Sequence, residues 1–367
     1  MAEETRKRKS DHLKICLNQK AQAKQATTGF EDIHFVHKAL PEIDKQKLDL
    51  STCVFGHKFN APLIVGAMTG GTAEAEKINA NIAQAVENLG LGMGVGSQRA
   101  ALENKKLIET FAVARKKAPN AFLIANIGGV QLAHGYGVRE VKKAVEMLDA
   151  DAVAIHLNAL QEAVQPEGQT NFEGVLAKIK EVAGELNVPV IVKETGAGVA
   201  AEEAQKLEAA GVKAIDIGGL GGTSFAAVEY YRSEKEEHNV ERFLGEVFWD
   251  WGIPTAVSLI ETAQTVKIPI IASGGVRDGS DIAKAVSLGA TLTSVSQPVL
   301  QTAVKGVSET ESLLSLWIEE LGNVMFLVGA QKVEQLMRTP LVITGKTREW
   351  LKIRGFDVKG YAKRGAN

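Results

Sequence analysis

The chain has 367 residues, 45% of them hydrophobic and 5% aromatic, with 42 Lys and Arg against 44 Asp and Glu and a formal net charge of −2. Charge so nearly balanced gives no long-range field for drawing in nucleic acid or an anionic membrane, and the aromatic content is too low for a base-stacking platform, so any anion site is local. Two cysteines, Cys16 and Cys53, offer neither a disulfide framework nor paired metal-ligand spacing, which points to a reducing cytoplasm, and no run approaches the ~18 apolar residues of a membrane span.

Residues 1–59 read as an N-terminal extension. Its first thirty residues are charged and helical in pattern with no apolar signal core, so no export signal is recognised there. Arg8, Lys9, Asp11 and His12 form a compact polar cluster in that stretch, which a solvated helix face explains as readily as a ligand site. From residue 60 to 367, short apolar runs alternate with amphipathic stretches, the pattern of βα units on a parallel sheet. Eight strands are expected, at 62–67, 92–96, 122–126, 152–157, 189–193, 214–217, 269–273 and 292–296. Most run apolar without alternation, as strands buried on both faces do. Helical spacing is clear over 73–89, over 138–148 and over 200–210, and closing helices are expected at 313–327 and 333–336. Eight such units predict a closed α/β (β/α)8 barrel, with residues 225–268 as an insertion after the sixth strand, carrying Phe248, Trp249 and Trp251.

In such barrels chemistry is built where the strands end, and those positions here are polar. Gly274-Gly275-Val276-Arg277 follows the seventh strand and precedes a helix starting near Asp281. Glycines let backbone N–H groups approach a phosphate, the helix N-terminus favours an anion, and Arg277 adds a charged donor. Lys193 ends an apolar strand, so its charge must face the barrel mouth or pair with Glu194 or another neighbour. A lysine there can stabilise negative charge on a reduced isoalloxazine, which makes the phosphate ligand a flavin mononucleotide; Asn126 and Ser97 could bond the pyrimidine edge of that ring. His156 and Asn158, two apart on one strand, share a face, and Gln161 and Glu162 follow at the turn. Glu162 is a plausible oxygen ligand for Mg2+ bridging a diphosphate.

Taken in order, Arg8-Lys9-x-Asp11-His12, Met68-Thr69-Gly70-Gly71, Gly96-Ser97-Gln98-Arg99, Ala125-Asn126, His156-x-Asn158-x-x-Gln161-Glu162, Val192-Lys193-Glu194, Gly221-Gly222-Thr223-Ser224, Trp251-Gly252-Ile253-Pro254-Thr255 and Gly274-Gly275-x-Arg277 resemble the type 2 isopentenyl-diphosphate isomerases, in their archaeal style. The resemblance spans residues 8 to 300. It implies interconversion of isopentenyl and dimethylallyl diphosphate with Mg2+ and an FMN kept reduced by NADPH or another reductant, in a cytoplasmic homo-oligomer, tetramer or octamer. By the same resemblance Arg8, Lys9, His12, Ser97, Arg99, His156 and Asn158 hold the diphosphate, Glu162 holds the metal, and Gln161 lies beside the allylic carbons. FMN touches Ala67, Met68, Thr69, Ser97, Asn126, Lys193, Thr223, Gly275, Val276, Arg277, Ser296 and Gln297. The flavin N5 region is the implied acid/base, with Glu229 as a helper. The chain departs from the family in reading Ser294-Val295-Ser296-Gln297 where small residues are usual, Phe225 where Trp is frequent, and Gly218 or Gly219 where Ser sometimes contacts FMN.

Two rival readings differ in class. An FMN-dependent 2-hydroxyacid oxidase shares the barrel and the Gly-Gly-x-Arg site, but it needs a histidine base after the sixth strand; residues 218–224 contain none, and His238 lies well downstream. A non-catalytic binding barrel leaves the polar mouth unexplained.

Overall fold

The computed structural model describes residues 2–235 and 239–365. An opening helix, Ala2–Asn18, precedes β1 (Ile33–Phe35) and a two-stranded hairpin, β2 (Thr52–Val54) and β3 (His57–Phe59). Eight parallel strands follow: β4 (Leu63–Val65), β5 (Gly92–Gly94), β6 (Phe122–Gly128), β7 (Ala152–Leu157), β8 (Val190–Glu194), β9 (Ala214–Asp216), β10 (Ile270–Ser273) and β11 (Leu292–Val295). They close into a barrel in sequence order, with β11 returning to β4 through Thr293↔Leu63 and Val295↔Val65. The predicted α/β (β/α)8 architecture is thus the observed one. The prolines at 62, 189 and 269 fall just outside the ladders, as residues without an N–H donor should.

All seven residues of β6 are buried, and the two-residue period sorts them. Phe122 and Ile124 face the barrel interior with Ile64, Ala154, Ile191, Ile271 and Leu292, whereas Leu123 and Ala125 face the surrounding helices with Leu63, Val153 and Val192. Val54 and Phe59 from the hairpin join the interior cluster and plug the end where the strands begin. Residues 1–59 are therefore part of the architecture: the hairpin seals the barrel, and β1 pairs antiparallel with β12 (Leu341–Ile343) through Ile33↔Ile343.

The expected helices 73–89, 138–148 and 333–336 appear with those bounds, and 313–327 lies inside the longer Val307–Val328. The expected insertion 225–268 is corrected. Its first part forms Phe225–Lys235 and Asn239–Val247, but Thr255–Ala263 is the barrel's own sixth helix, buried at eight of nine positions. A C-terminal helix, Gly345–Ile353, covers it, Trp350 Nε1 donating to Glu261 at 3.0 Å. With that cover the helix is buried nearly all round, Thr255, Ser258, Glu261 and Thr262 included, so it has no polar outer face to mark it in the sequence. His238 lies outside the described residues.

Candidate active site

One cavity of about 280 Å³ opens where the strands end. The inward rows that are apolar lower down become polar here: Ile124 is followed by Asn126, Ala154 by His156, Ile191 by Lys193, Ile271 by Ser273 and Leu292 by Ser294, all lining the cavity. The helix Ala2–Asn18 lies across this mouth of its own chain, bringing Arg8, Lys9 and His12 to the same space. A backbone bridge Gln22↔Thr223 and a bond from Trp249 Nε1 to the Gln22 carbonyl (2.8 Å) fasten the segment that follows.

The glycine turn forms one wall. Gly274 and Gly275 have φ of 102° and 77°, and a Cβ on Gly275 would stand 2.4 Å from Thr28 Cγ2 and 2.7 Å from the Gly221 carbonyl, so only glycine fits. Asp278 caps the helix Gly279–Leu288 by accepting from the Asp281 N–H at 2.8 Å. Burial and the nearby Asp278 push the Asp281 carboxyl up to about 6. Arg277 lines the cavity, its pKa lowered by burial. Ser294 Oγ, also lining, is buried with no hydrogen-bond partner among the described residues. Positive-φ glycines, an arginine and an unsatisfied hydroxyl are a donor set that fits the phosphate of FMN. Ala67, Met68, Thr69, Ser97, Asn126, Thr223, Val276, Ser296 and Gln297 line the same space.

Lys193 does not pair with the Glu194 carboxylate. Its Nζ donates to the Glu194 carbonyl at 2.6 Å and stands 3.7 Å from Asp216 Oδ2. The Glu194 carboxylate turns instead to the N–H groups of Gly196, Ala197 and Gly198, and burial pushes it up to about 7. Asn126 Nδ2 donates to the Val95 carbonyl at 3.1 Å, which directs Oδ1 toward His156 Nδ1 at 2.8 Å. His156 must then carry its proton on Nδ1, leaving Nε2 with the lone pair. Burial, reinforced by Lys193, Lys9 and Arg8, pushes this imidazole down to about 4, so it is neutral at pH 7.

The opposite wall is cationic. Lys9 donates to the Ser97 carbonyl at 2.6 Å, and burial, with Arg8 and Arg99 nearby, pushes it down to about 7. Arg99 pairs with Glu103 at 2.8 Å, and Arg8 lies 3.7 Å from Glu167. Glu229 is the predicted site residue that does not line the cavity. It is fully buried behind His12 (2.8 Å), Gln161 (3.3 Å) and Arg232 (2.6 Å). Burial alone would raise it, but His12 and Arg232 outweigh that and hold it at about 2, so it is an anion that positions His12 and Gln161.

Glu162 accepts from Asn158 Nδ2 at 2.9 Å. Among the described residues, no three His, Cys, Asp or Glu side chains are grouped to hold a metal. A carboxylate beside two buried amide oxygens without partners among the described residues, Asn158 Oδ1 and Gln165 Oε1, does fit Mg2+, which binds through few carboxylates, diphosphate oxygens and water. Gln131, Gln165, Thr195, Ser273 and Phe225 also line the cavity and were not singled out as site residues from sequence. Amides on the helix side of a turn carry no sequence signal of their own, though Ser273 and Ser294 were readable from the inward two-residue rows.

The FMN-dependent dehydrogenase family matches residues 1–107 and 134–343. Isopentenyl-diphosphate delta-isomerases of Pyrococcus furiosus and Methanosarcina barkeri are 50% and 48% identical over 367 and 362 aligned positions, covering 98% and 99% of this chain and 92% and 98% of theirs. Among solved structures, a lactate oxidase of Pediococcus acidilactici has a TM-score of 0.62 at 20% identity, covering 94% of this chain and 93% of that one. A mandelate oxidase variant has a TM-score of 0.62 at 18% identity, covering 94% and 97%. Likeness at that identity speaks for the fold alone.

Proposed function

The chain belongs to the FMN-dependent isopentenyl-diphosphate delta-isomerases, and from that membership we propose that it interconverts isopentenyl and dimethylallyl diphosphate with reduced FMN and Mg2+. The observation that carries this reading is that Arg8, Lys9 and His12 line the same cavity as Gly275 and Arg277, which gives one space anion-binding groups on two walls.

The reaction protonates C4 of an unactivated alkene and removes a proton from C2, a task that ordinary side-chain acids perform poorly. Reduced FMN, when bound, supplies an electron-rich ring able to exchange a proton and to stabilise adjacent cationic character. Arg277, Ser296, Gln297 and the backbone of Gly275 and Val276 would hold its phosphate, Lys193 would favour its anionic form, and Ser97 and Asn126 would offer hydrogen bonds to its polar edge. Ala67, Met68, Thr69 and Thr223 complete that pocket. Arg8, Lys9, Arg99, Ser97, His156 and Asn158 fix the diphosphate, and Glu162 holds Mg2+ against it. His156 accepts a proton at Nε2 when the anion arrives, turning a lone pair into a donor. His12 and Gln161 are held by Glu229, and Gln161 would lie beside the allylic carbons. Fixing the diphosphate orients the carbons.

We propose NADPH as one source of reducing equivalents, the cytoplasm as the setting, in keeping with the unpaired Cys16 and Cys53, and a homo-oligomeric state, in keeping with exposed Val240, Phe243, Val247 and Trp251. No described helix is long and apolar enough to cross a membrane.

The test is an anaerobic assay with FMN, Mg2+ and NADPH or dithionite. Isomerase turnover is expected and 2-hydroxyacid oxidation is not; the reverse result, or no turnover with reduced FMN bound, overturns the reading.

A further inference from the structure

Three N–H donors surround the Glu162 carboxylate. Asn158 Nδ2 reaches Oε1 at 2.9 Å, while Gln165 Nε2 and the Gln169 backbone N–H reach Oε2 at 2.5 and 2.7 Å. Asn158, Glu162 and Gln165 are 5%, 7% and 5% exposed, and all three line the cavity. Gln165 spends its NH2 group on the carboxylate, Asn158 shares its own between the carboxylate and Gln161 Oε1 (3.3 Å), and each leaves its oxygen over. Asn158 Oδ1 and Gln165 Oε1 are both shut from solvent with no partner among the described residues. Buried amide oxygens are nearly always paired, so two orphans flanking one carboxylate point to something that takes oxygen donors.

We propose that the amide oxygens of Asn158 and Gln165 join Glu162 as ligands of the divalent cation, which makes Gln165 a metal-holding residue of this site. The inference rests on the metal role proposed for Glu162. Both amides already lie against the carboxylate through their NH2 groups, and turning a terminal amide about its last bond brings its oxygen to that side. One carboxylate and two neutral oxygens suit a hard cation and leave it a net positive charge toward the diphosphate, whose oxygens, with water, complete the coordination. A second carboxylate would have cancelled that charge.

The experiment titrates Mn2+, followed by its spin-resonance signal, into the FMN-loaded full chain with inorganic pyrophosphate. Gln165→Met is expected to weaken Mn2+ binding by about tenfold or more while leaving metal-free pyrophosphate affinity unchanged. Glu162→Gln is expected to abolish Mn2+ binding. If Gln165→Met binds Mn2+ as the wild type does while Glu162→Gln does not, this inference falls and the Glu162 reading stands. If neither variant changes Mn2+ binding, or the wild type binds none, both fall. Gln165→Glu serves should the first variant not fold, and it separates a ligand from a mere orienting donor. A ligand position gains a charged oxygen and tightens Mn2+, whereas loss of an orienting donor beside Glu162 would leave it unchanged or weaker, contradicting the proposal.

Discussion

At one end of the barrel interior the strands present Ile64, Ile124, Ala154, Ile191, Ile271 and Leu292, sealed by Val54 and Phe59. Two residues further along, the same inward rows read Gly66, Asn126, His156, Lys193, Ser273 and Ser294. The lower end contributes burial and close packing, the source of stability. The upper end carries polar groups whose partners are incomplete, among them Ser294 Oγ, and so stays receptive to a ligand. One set of ladders thus separates stability from chemistry by a single step of the two-residue period.

Changes at the two ends should therefore separate cleanly. Phe59→Ala, at the sealed end, is expected to cost about 3–5 kcal/mol in denaturant unfolding while the folded fraction keeps its FMN affinity and KM. A change in FMN affinity would show the ends to be coupled. Lys193→Ala, at the open end, is expected to reduce kcat by about a hundredfold or more with a small change in melting temperature; unchanged kcat would remove Lys193 from the flavin site.

Acidity sharpens the contrast further. Burial holds Lys9 near 7 in the free protein, with Arg8 and Arg99 also opposing its charge and Glu103 favouring it. An anionic diphosphate favours the protonated amine, so binding takes up a proton. KM should be lowest below pH 7 and rise by up to about tenfold per pH unit above it, a slope that Lys9→Arg flattens because arginine stays charged. Equal slopes in both proteins would place the titration elsewhere. The smallest effect is expected from Ser296→Ala, where the family's small residues imply that backbone donors suffice. A change in FMN affinity of less than about threefold would agree with the modest net worth of one hydrogen bond, and a larger loss would make the hydroxyl a principal phosphate donor.

The eight strands were legible because unalternated apolar runs between amphipathic stretches have few other solutions. Much of the cavity was legible too, since a polar residue at the end of such a strand has only the mouth to face, as with Asn126, His156 and Lys193. The position of Glu229 was not legible: it sits on the helix Phe225–Lys235, and whether its carboxylate enters the cavity or backs His12 depends on a tertiary contact 217 residues distant. The hairpin plug and the β1–β12 pairing escaped for the same reason, being short strands whose partners lie far along the chain. Gln165 had no periodic signal at all; only its unpaired oxygen in the folded protein draws attention to it.

The most direct test of the two-ligand site follows isopentenyl diphosphate by NMR in deuterium oxide, with Mg2+ and the FMN-loaded protein kept reduced. Dimethylallyl diphosphate should appear with solvent deuterium in the methyl group formed at C4, at a rate that collapses when FMN is removed. Unaltered isopentenyl diphosphate in the presence of bound reduced FMN and Mg2+ would contradict the account.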